Sequence, residues 1–314
     1  MKKLFMFVAG FAILQFAIAV TPAFSEDTNL WDIYNNVLKK AKYVDLTHAF
    51  SPNIAVWPGF GNAKFKPGVA GQEIKGYCTI GEAFDYKKHG FVCTAYELVT
   101  DQYGTQLDPP AHFYEFGATI SDLPATYAIR PLAVIDIHEK AAKDEGYHAT
   151  VEDIKAWEAK HGKIPEGAVV AIRSDWHKKW KETVRFANAP FPGIKLDALK
   201  LLHLERKILF HGHEPLDTDT TPNMEGETWL LTNNFCQAEG LTNLDQVPEA
   251  GALVIIGFAK PEGGTGGYAR YVAVCPPGWK YGKSVEELPG APLPKQPYPN
   301  KRDKNGVLRP TPPS

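Results

Sequence analysis

A mixed α/β domain is the fold class this sequence predicts, on three observations. Short runs rich in β-branched and aromatic residues recur between residues 43 and 274, segments with helical spacing lie between some of them, and no internal repeat divides the stretch. With 314 residues, 44% of them hydrophobic, the chain is long enough to bury a substantial core. Its 34 Lys and Arg against 36 Asp and Glu give a formal net charge of −2. Such a balance offers no broad basic field, so nucleic acid and anionic membrane surfaces are disfavoured as partners.

Residues 1–25 read as a secretory signal. Lys2 and Lys3 precede an apolar run from Leu4 to Val20, and Ala23-Phe24-Ser25 sets small residues at the −3 and −1 positions of a cleavage site. A retained membrane anchor is the alternative, because the run is close to the shortest workable span of about 17 residues. Cleavage after Ser25 removes Lys2 and Lys3, the only charged residues before that point, and takes the net charge from −2 to −4. A periplasmic or secreted protein is expected, with no membrane contact once the signal is gone. Cys78, Cys93, Cys236 and Cys275 all lie in the exported part, where disulfides are permitted, but their spacing selects no pairing and contains no CxxC zinc knuckle.

Leu30, Ile33, Tyr34, Val37 and Leu38 repeat at helical spacing and predict an amphipathic helix over 30–42. A strand over 43–47 follows, ending at His48 and a turn from Ser51 to Gly59. Further strands are predicted over 93–100, 132–137, 168–173, 207–211, 252–258 and 268–274, with helices over 150–161 and 196–205. Thr150 and Asp153 have the form of a capping box at the start of the first of these two helices. The Gly-rich stretch 262–267 lacks a following Lys-Ser/Thr and leads into a strand, so it reads as a turn rather than a phosphate loop. From Pro276 to Ser314, ten of the chain's 25 prolines fall in 39 residues, which marks a C-terminal arm after a catalytic-sized unit spanning 26–275.

The segment richest in chemistry is Asp101-Gln102-Tyr103-Gly104-Thr105-Gln106-Leu107-Asp108-Pro109-Pro110-Ala111-His112. Pro109 and Pro110 remove two backbone donors, which argues against a central strand at Asp108 and presents its carboxylate at a strand exit, with an imidazole four residues on. This segment resembles the His-x-Gly-Thr-His-x-Asp-x-Pro-x-His signature of the cyclase family of metal-dependent hydrolases, the family of kynurenine formamidase and isatin hydrolase. Asp45-Leu46-Thr47-His48 with Trp57-Pro58-Gly59, Ala171 to Trp176, Phe191-Pro192-Gly193-Ile194 and Glu239 to Leu244 resemble the family's other landmarks in order, over roughly residues 43–275.

The resemblance implies a swivelling β/β/α-type domain with a mixed β-barrel-like core, and a homo-oligomer, dimer or tetramer. It places metal ligands at Gln102, Gln106, Asp108, Glu227 and Glu239, with His112 in catalysis. Gln102, Gln106 and Glu227 stand where the family has histidine, so the donor set becomes all oxygen. Carboxylates and amide carbonyls suit Mn²⁺, Mg²⁺ or Ca²⁺ better than Zn²⁺, and Mn²⁺ is the expected cofactor. The alternative is a site without metal, in which the two glutamines form an amide hydrogen-bond network.

These residues imply hydrolysis of a small cyclic or aryl amide, ester or lactone by a metal-activated water, with His112 moving the proton and Trp57 stacking on the substrate. A non-catalytic periplasmic binding protein on the same fold and a metal-assisted lyase or dehydratase are the rival readings. His211-Gly212-His213-Glu214 is a weaker metal candidate, since alternate strand residues share a face. Ser174 lacks a Gly-x-Ser-x-Gly elbow. Trp176 and Trp180 read as core or rim residues.

Overall fold

The computed structural model describes residues 29–182, 190–288 and 290–313. Residues 1–25, expected to be a secretory signal, lie outside the described residues. None of the described helices is long and apolar enough to cross a membrane.

The chain order of strands is β1 (Lys42–Asp45), β2 (Lys64–Pro67), β3 (Thr94–Glu97), β4 (Gln106–Asp108), β5 (Ile129–Asp136), β6 (His148–Ala149), β7 (Val169–Arg173), β8 (Gly193–Ile194), β9 (Phe210–His213), β10 (Cys236–Glu239), β11 (Ala252–Phe258) and β12 (Gly267–Cys275). The α-helices among them are α1 (Leu30–Ile33), α2 (His138–Ala141), α3 (Val151–His161), α4 (Leu196–Lys200) and α5 (Glu225–Thr232). Strands β12, β11, β5, β7, β9, β10 and β4 are neighbours in that order, and a pairing of β12 with β4 closes them into a seven-stranded barrel with β1 on the outer edge of β12. Within the barrel, strands β5, β7, β9 and β10 run parallel and the remaining pairs are antiparallel; the short β6 and β8 pair in parallel outside it.

Period-two alternation sorts the strand side chains. Leu132, Val134, Val169, Ala171, Phe210, Ala238 and Leu107 meet inside the barrel. Ala133, Ile135, Val170 and Ile172 pack outward against Ile154, Trp157, Leu199 and Leu202 of the helical layer. A buried aliphatic side chain contributes roughly 1.5–3 kcal/mol, so the parallel strands, buried on both faces, carry much of the stability. The antiparallel β11 instead leaves Leu253 and Ile255 partly exposed.

Helix α3 begins where its capping box predicts: Thr150 Oγ1 accepts from the Asp153 N–H at 3.3 Å, and an Asp153 carboxylate oxygen accepts from the Thr150 N–H at 2.9 Å. Helix α1 covers only the first turn of the predicted 30–42 helix, which continues as a π-helical turn over Tyr34–Leu38. The 196–205 helix likewise passes from α4 into a π-helical turn, Leu201–Glu205. The strand expected over 207–211 forms at Phe210–His213. One expectation is overturned, because Asp108 ends a genuine central strand. Strand β4 pairs with β10 on one side and β12 on the other, and the prolines do not disturb the ladder because both follow its last residue.

All four cysteines are free thiols. The C-terminal arm returns to the body: β13 (Asn300–Arg302) and β14 (Leu308–Pro310) form a hairpin. Arg302 donates from Nη1 to the Thr94 hydroxyl at 3.2 Å and from Nη2 to the Cys93 carbonyl at 2.5 Å.

Candidate metal centre and substrate cavity

The register of β4 on β10 builds the centre. Asp108 faces Gln237, Leu107 faces Ala238, and Gln106 faces Glu239. Leu107 and Ala238 enter the barrel core, so alternation turns Gln106, Asp108, Gln237 and Glu239 to the outer face. Glu227 joins them from α5, whose start is fixed by Asp219: one carboxylate oxygen accepts from the Gly226 N–H at 2.8 Å and the Glu227 N–H at 3.4 Å. Only glycine fits at 226, since a Cβ there would lie 2.9 Å from that oxygen and 3.0 Å from Leu199 Cδ1. Pro109 and Pro110 end β4 and begin a single 3₁₀ turn, Pro110–His112, that carries His112.

Asp108, Glu227 and Glu239 are each 3% exposed or less, and one oxygen of each lies within 4.8 Å of the others. Two amides stand among them. Gln106 Nε2 is 3.1 Å from Asp108 Oδ1 and 3.0 Å from Glu239 Oε2. Gln237 Nε2 is 3.2 Å from Asp108 Oδ2, 3.0 Å from Glu227 Oε1 and 2.9 Å from Glu239 Oε1. Burial, followed by the neighbouring acids Asp217 and Asp108, pushes Glu227 well above the usual carboxylate range. Burial, then Asp108, Glu227 and Asp217, does the same to Glu239. Burial also raises Asp108, although His112 and the two amides act in the opposite direction. Buried acids this close must share protons or a cation, and Glu227 Oε2 is buried without a hydrogen-bond partner. The donor chemistry fits a hard divalent cation.

A cavity of about 250 Å³ opens over this cluster. Trp57, Phe60 and Phe113 supply aromatic surface, while Gln102, Gln106, His112, Asp217, Glu227 and Glu239 supply polar groups. The Trp57 ring is 5.4 Å from that of Phe60, and Trp57 remains 42% exposed. Gln102 donates from Nε2 to the Thr265 carbonyl at 3.3 Å, and Asp101 accepts from the N–H groups of Thr265 and Gly266, each at 2.9 Å. Glycine at 266 permits that closeness, because a Cβ would lie 2.5 Å from Gln102 Cγ. The Gly-rich stretch is therefore the β11–β12 turn, closed down on one wall of the cavity. Burial, then Asp108 and Asp219, raises the Asp217 carboxyl to about 7. Met224, also on the wall, has a left-handed backbone (φ 44°, ψ 58°) at the start of α5, which is unusual for a non-glycine residue.

The model of the Cyclase family, described as Putative cyclase, matches residues 44–220. The chain is 31% identical over 256 residues to an isatin hydrolase of Roseibium aggregatum, covering 76% of this chain and 93% of that protein. It belongs to the cyclase family.

Solved structures agree with the assignment. Isatin hydrolase A from Labrenzia aggregata, bound to benzyl benzoate, superposes with a TM-score of 0.65 at 27% identity, covering 79% of this chain and 97% of that one. An isatin hydrolase bound to the product analogue thioisatinate gives 0.65 at 26% identity, with 78% and 95% covered. The chain is a metal-dependent hydrolase of the cyclase family, with the closed mixed barrel of its relatives.

Within this cyclase-family fold, Trp57, Gln102, Gln106, His112, Glu227 and Glu239 all line one cavity, and Asp108 lies directly behind it. Sequence reasoning missed Asp217 and Gln237. For Gln237 a signal existed: it lies two residues before Glu239, on the same strand face. His211 and His213 do share a face, with ring centroids 5.5 Å apart, but Glu214 turns elsewhere. Its Oε2 accepts from the Ser174 hydroxyl at 2.8 Å and the Trp176 N–H at 2.6 Å, and its Oε1 pairs with His177 Nδ1 at 2.8 Å. Asp175, His177 and Glu214 do bring ligand atoms together, yet Arg173 and Lys178 already neutralise Asp175. Trp176 is buried, and half-buried Trp180 stacks on His48 with centroids 4.0 Å apart.

Proposed function

We propose that this enzyme opens the C–N bond of a small cyclic or aryl amide, with esters and lactones of the same shape as secondary substrates. The observation that carries the reading is the buried Asp108–Glu227–Glu239 cluster at the floor of an aromatic-walled cavity that also contains His112. Isatin, which names its relative, is a flat bicyclic lactam of the size such a cavity accepts.

Asp108, Glu227 and Glu239 would hold a divalent cation, with the amide oxygens of Gln102 and Gln106 as neutral donors. Mn²⁺ is preferred to Zn²⁺ because no imidazole or thiolate is in this set. A cation there supplies Lewis acidity, polarising the scissile carbonyl and acidifying a water. Trp57, Phe60 and Phe113 hold the flat ring by its faces. His112 would take the proton from the attacking water or deliver one to the leaving nitrogen. Asp217 presents a carboxyl to the same space, makes no hydrogen bond among the described residues, and is free to accept one from a substrate N–H.

The reading includes export, which rests on residues 1–25, and a homo-oligomer. Supporting association between copies, Val69, Ile74, Ile80, Tyr86 and Phe91 are all exposed on one excursion between β2 and β3. The decisive experiment is to strip the protein of metal, reload it with Mn²⁺, and assay ring opening of isatin-like lactams beside matched aryl formamides and lactones. Absence of amide hydrolysis across that panel by a fully loaded protein would overturn the substrate assignment.

A further inference from the structure

The Thr218 hydroxyl has one proton and two neighbours able to accept it. It donates to Gln237 Oε1, and on its other side lies His213 Nε2 at 3.2 Å. His213 Nδ1 is 3.1 Å from the Pro215 carbonyl, which can only accept, so Nδ1 carries the hydrogen and the Nε2 of the neutral ring is an acceptor. All three side chains are buried, with Thr218 and Gln237 at 0% exposure and His213 at 1%.

In the arrangement described above, Gln237 turns its NH₂ group to three carboxylates and its carbonyl to Thr218. His213 Nε2 is then left facing a hydroxyl oxygen whose proton points away. A half-turn of the amide reverses the chain: Gln237 would donate to Thr218 Oγ1, Thr218 would donate to His213 Nε2, and Gln237 Oε1 would face Asp108, Glu227 and Glu239. Hydrogen bonding is then complete from Pro215 to Gln237, but a carbonyl oxygen set among three carboxylates needs a cation, or protons on the acids, between them, and a cation relieves all three at once.

We propose that Gln237 is a two-position amide of the metal centre, donating N–H to the carboxylates when no cation is present and turning its oxygen toward a bound cation, with the Thr218 hydroxyl swinging its proton from Gln237 to His213 Nε2 to stabilise the turned state. The inference rests on the assignment of Asp108, Glu227 and Glu239 as the cation site. It adds a ligand-side residue and a positioning pair to that site.

The experiment uses the full chain, stripped with a chelator, and reads thermal melts and Mn²⁺ titrations without any assay of activity. Wild type must be stabilised by Mn²⁺; a protein indifferent to it overturns the cation site itself, and this inference with it. Given a responsive wild type, Gln237→Glu adds a fourth acid that can donate only when protonated, and it presents oxygen in either position. Its metal-free melt should fall, and its Mn²⁺-induced rise should exceed that of wild type. His213→Leu removes the acceptor needed only by the turned state, so Mn²⁺ should bind about five- to tenfold more weakly, the usual cost of one lost hydrogen bond. Wild-type Mn²⁺ affinity in His213→Leu, or a smaller rise in Gln237→Glu, overturns the switch and leaves the cation site standing. Should either variant fail to fold, the wild-type side-chain amide spectrum decides: the Gln237 NH₂ resonances should shift on adding diamagnetic Mg²⁺, and unchanged resonances at saturation overturn the switch.

Discussion

Gln106 and Glu239 face one another directly across the β4–β10 pair, with Gln106 Nε2 3.0 Å from Glu239 Oε2. A neutral donor beside a buried acid favours the ionised form, yet burial and the acids around Glu239 outweigh it. One amide cannot balance three carboxylates, and the sequence has no cationic side chain at these positions.

Chelated protein should therefore gain stability from a hard cation. Mn²⁺ at about 100 times its Kd should raise the melting temperature by roughly 5–10 °C, and by more than Zn²⁺ does. Stabilisation by zinc alone would contradict the all-oxygen ligand set.

Removing one charge should have opposite effects with and without metal. Asp108→Asn keeps the shape and relieves repulsion, so the metal-free melt should stay level or rise. The Mn²⁺-induced rise should largely vanish, and activity should fall at least about 100-fold. Full metal content in this variant would show the site to be misplaced.

The proposed function gives His112, on the cavity wall, proton transfer rather than metal retention. His112→Ala should lower amide turnover by about 100-fold or more while bound metal, read by elemental analysis, stays at the wild-type level. Loss of metal together with turnover would make it a ligand.

Asp217 gives a pH signature. Its carboxyl is raised to about 7 in the folded protein from an ordinary value of 3.8, so between those values the folded state binds more protons than the unfolded one. Its contribution to stability is present below the ordinary value and is lost as pH rises through about 7. The metal-free Asp217→Asn variant should consequently gain on wild type between pH 5 and pH 8, by about 3 °C or more. A difference in melting temperature that does not change with pH would remove Asp217 from the coupled acids.

The proposed function makes Trp57, which lines the cavity, a wall and not a participant. Trp57→Ala should raise KM for aryl amides by about tenfold, the value of one aromatic contact, with kcat little changed. A drop in kcat at constant KM would give the ring a role in the transition state.

The elements with unbroken β-branched and aliphatic runs were readable from sequence. Residues 252–258 and 169–173 fold as expected because both carry continuous β-branched and aliphatic runs. Strand β4 escaped because it has only three residues and borrows its ladder from β10 and β12, which no local pattern reveals. The ordered motif from Gln102 to His112 picked out residues that the fold brings to one cavity and to the acidic cluster behind it. Asp217 escaped because a loop acid carries no spacing signal, and Gln237 because its place two residues before Glu239 points to the cluster only once 236–239 is known to be a strand.

Closure of the barrel has a consequence for how the centre comes to exist. Strand β4, with residues 106–108, meets 237–239 on one side and 267–268 on the other, so the ring is sealed by contacts between distant parts of the chain. Such long-range pairings form slowly, because a large loop must be ordered before any contact rewards it. The carboxylates of Asp108 and Glu239 stand on the two strands of that seam. A nascent or partly opened chain consequently offers scattered acids rather than a chelating pocket, so cation loading would report that the ring has shut, and a cation held there would tie together the two strands of that seam.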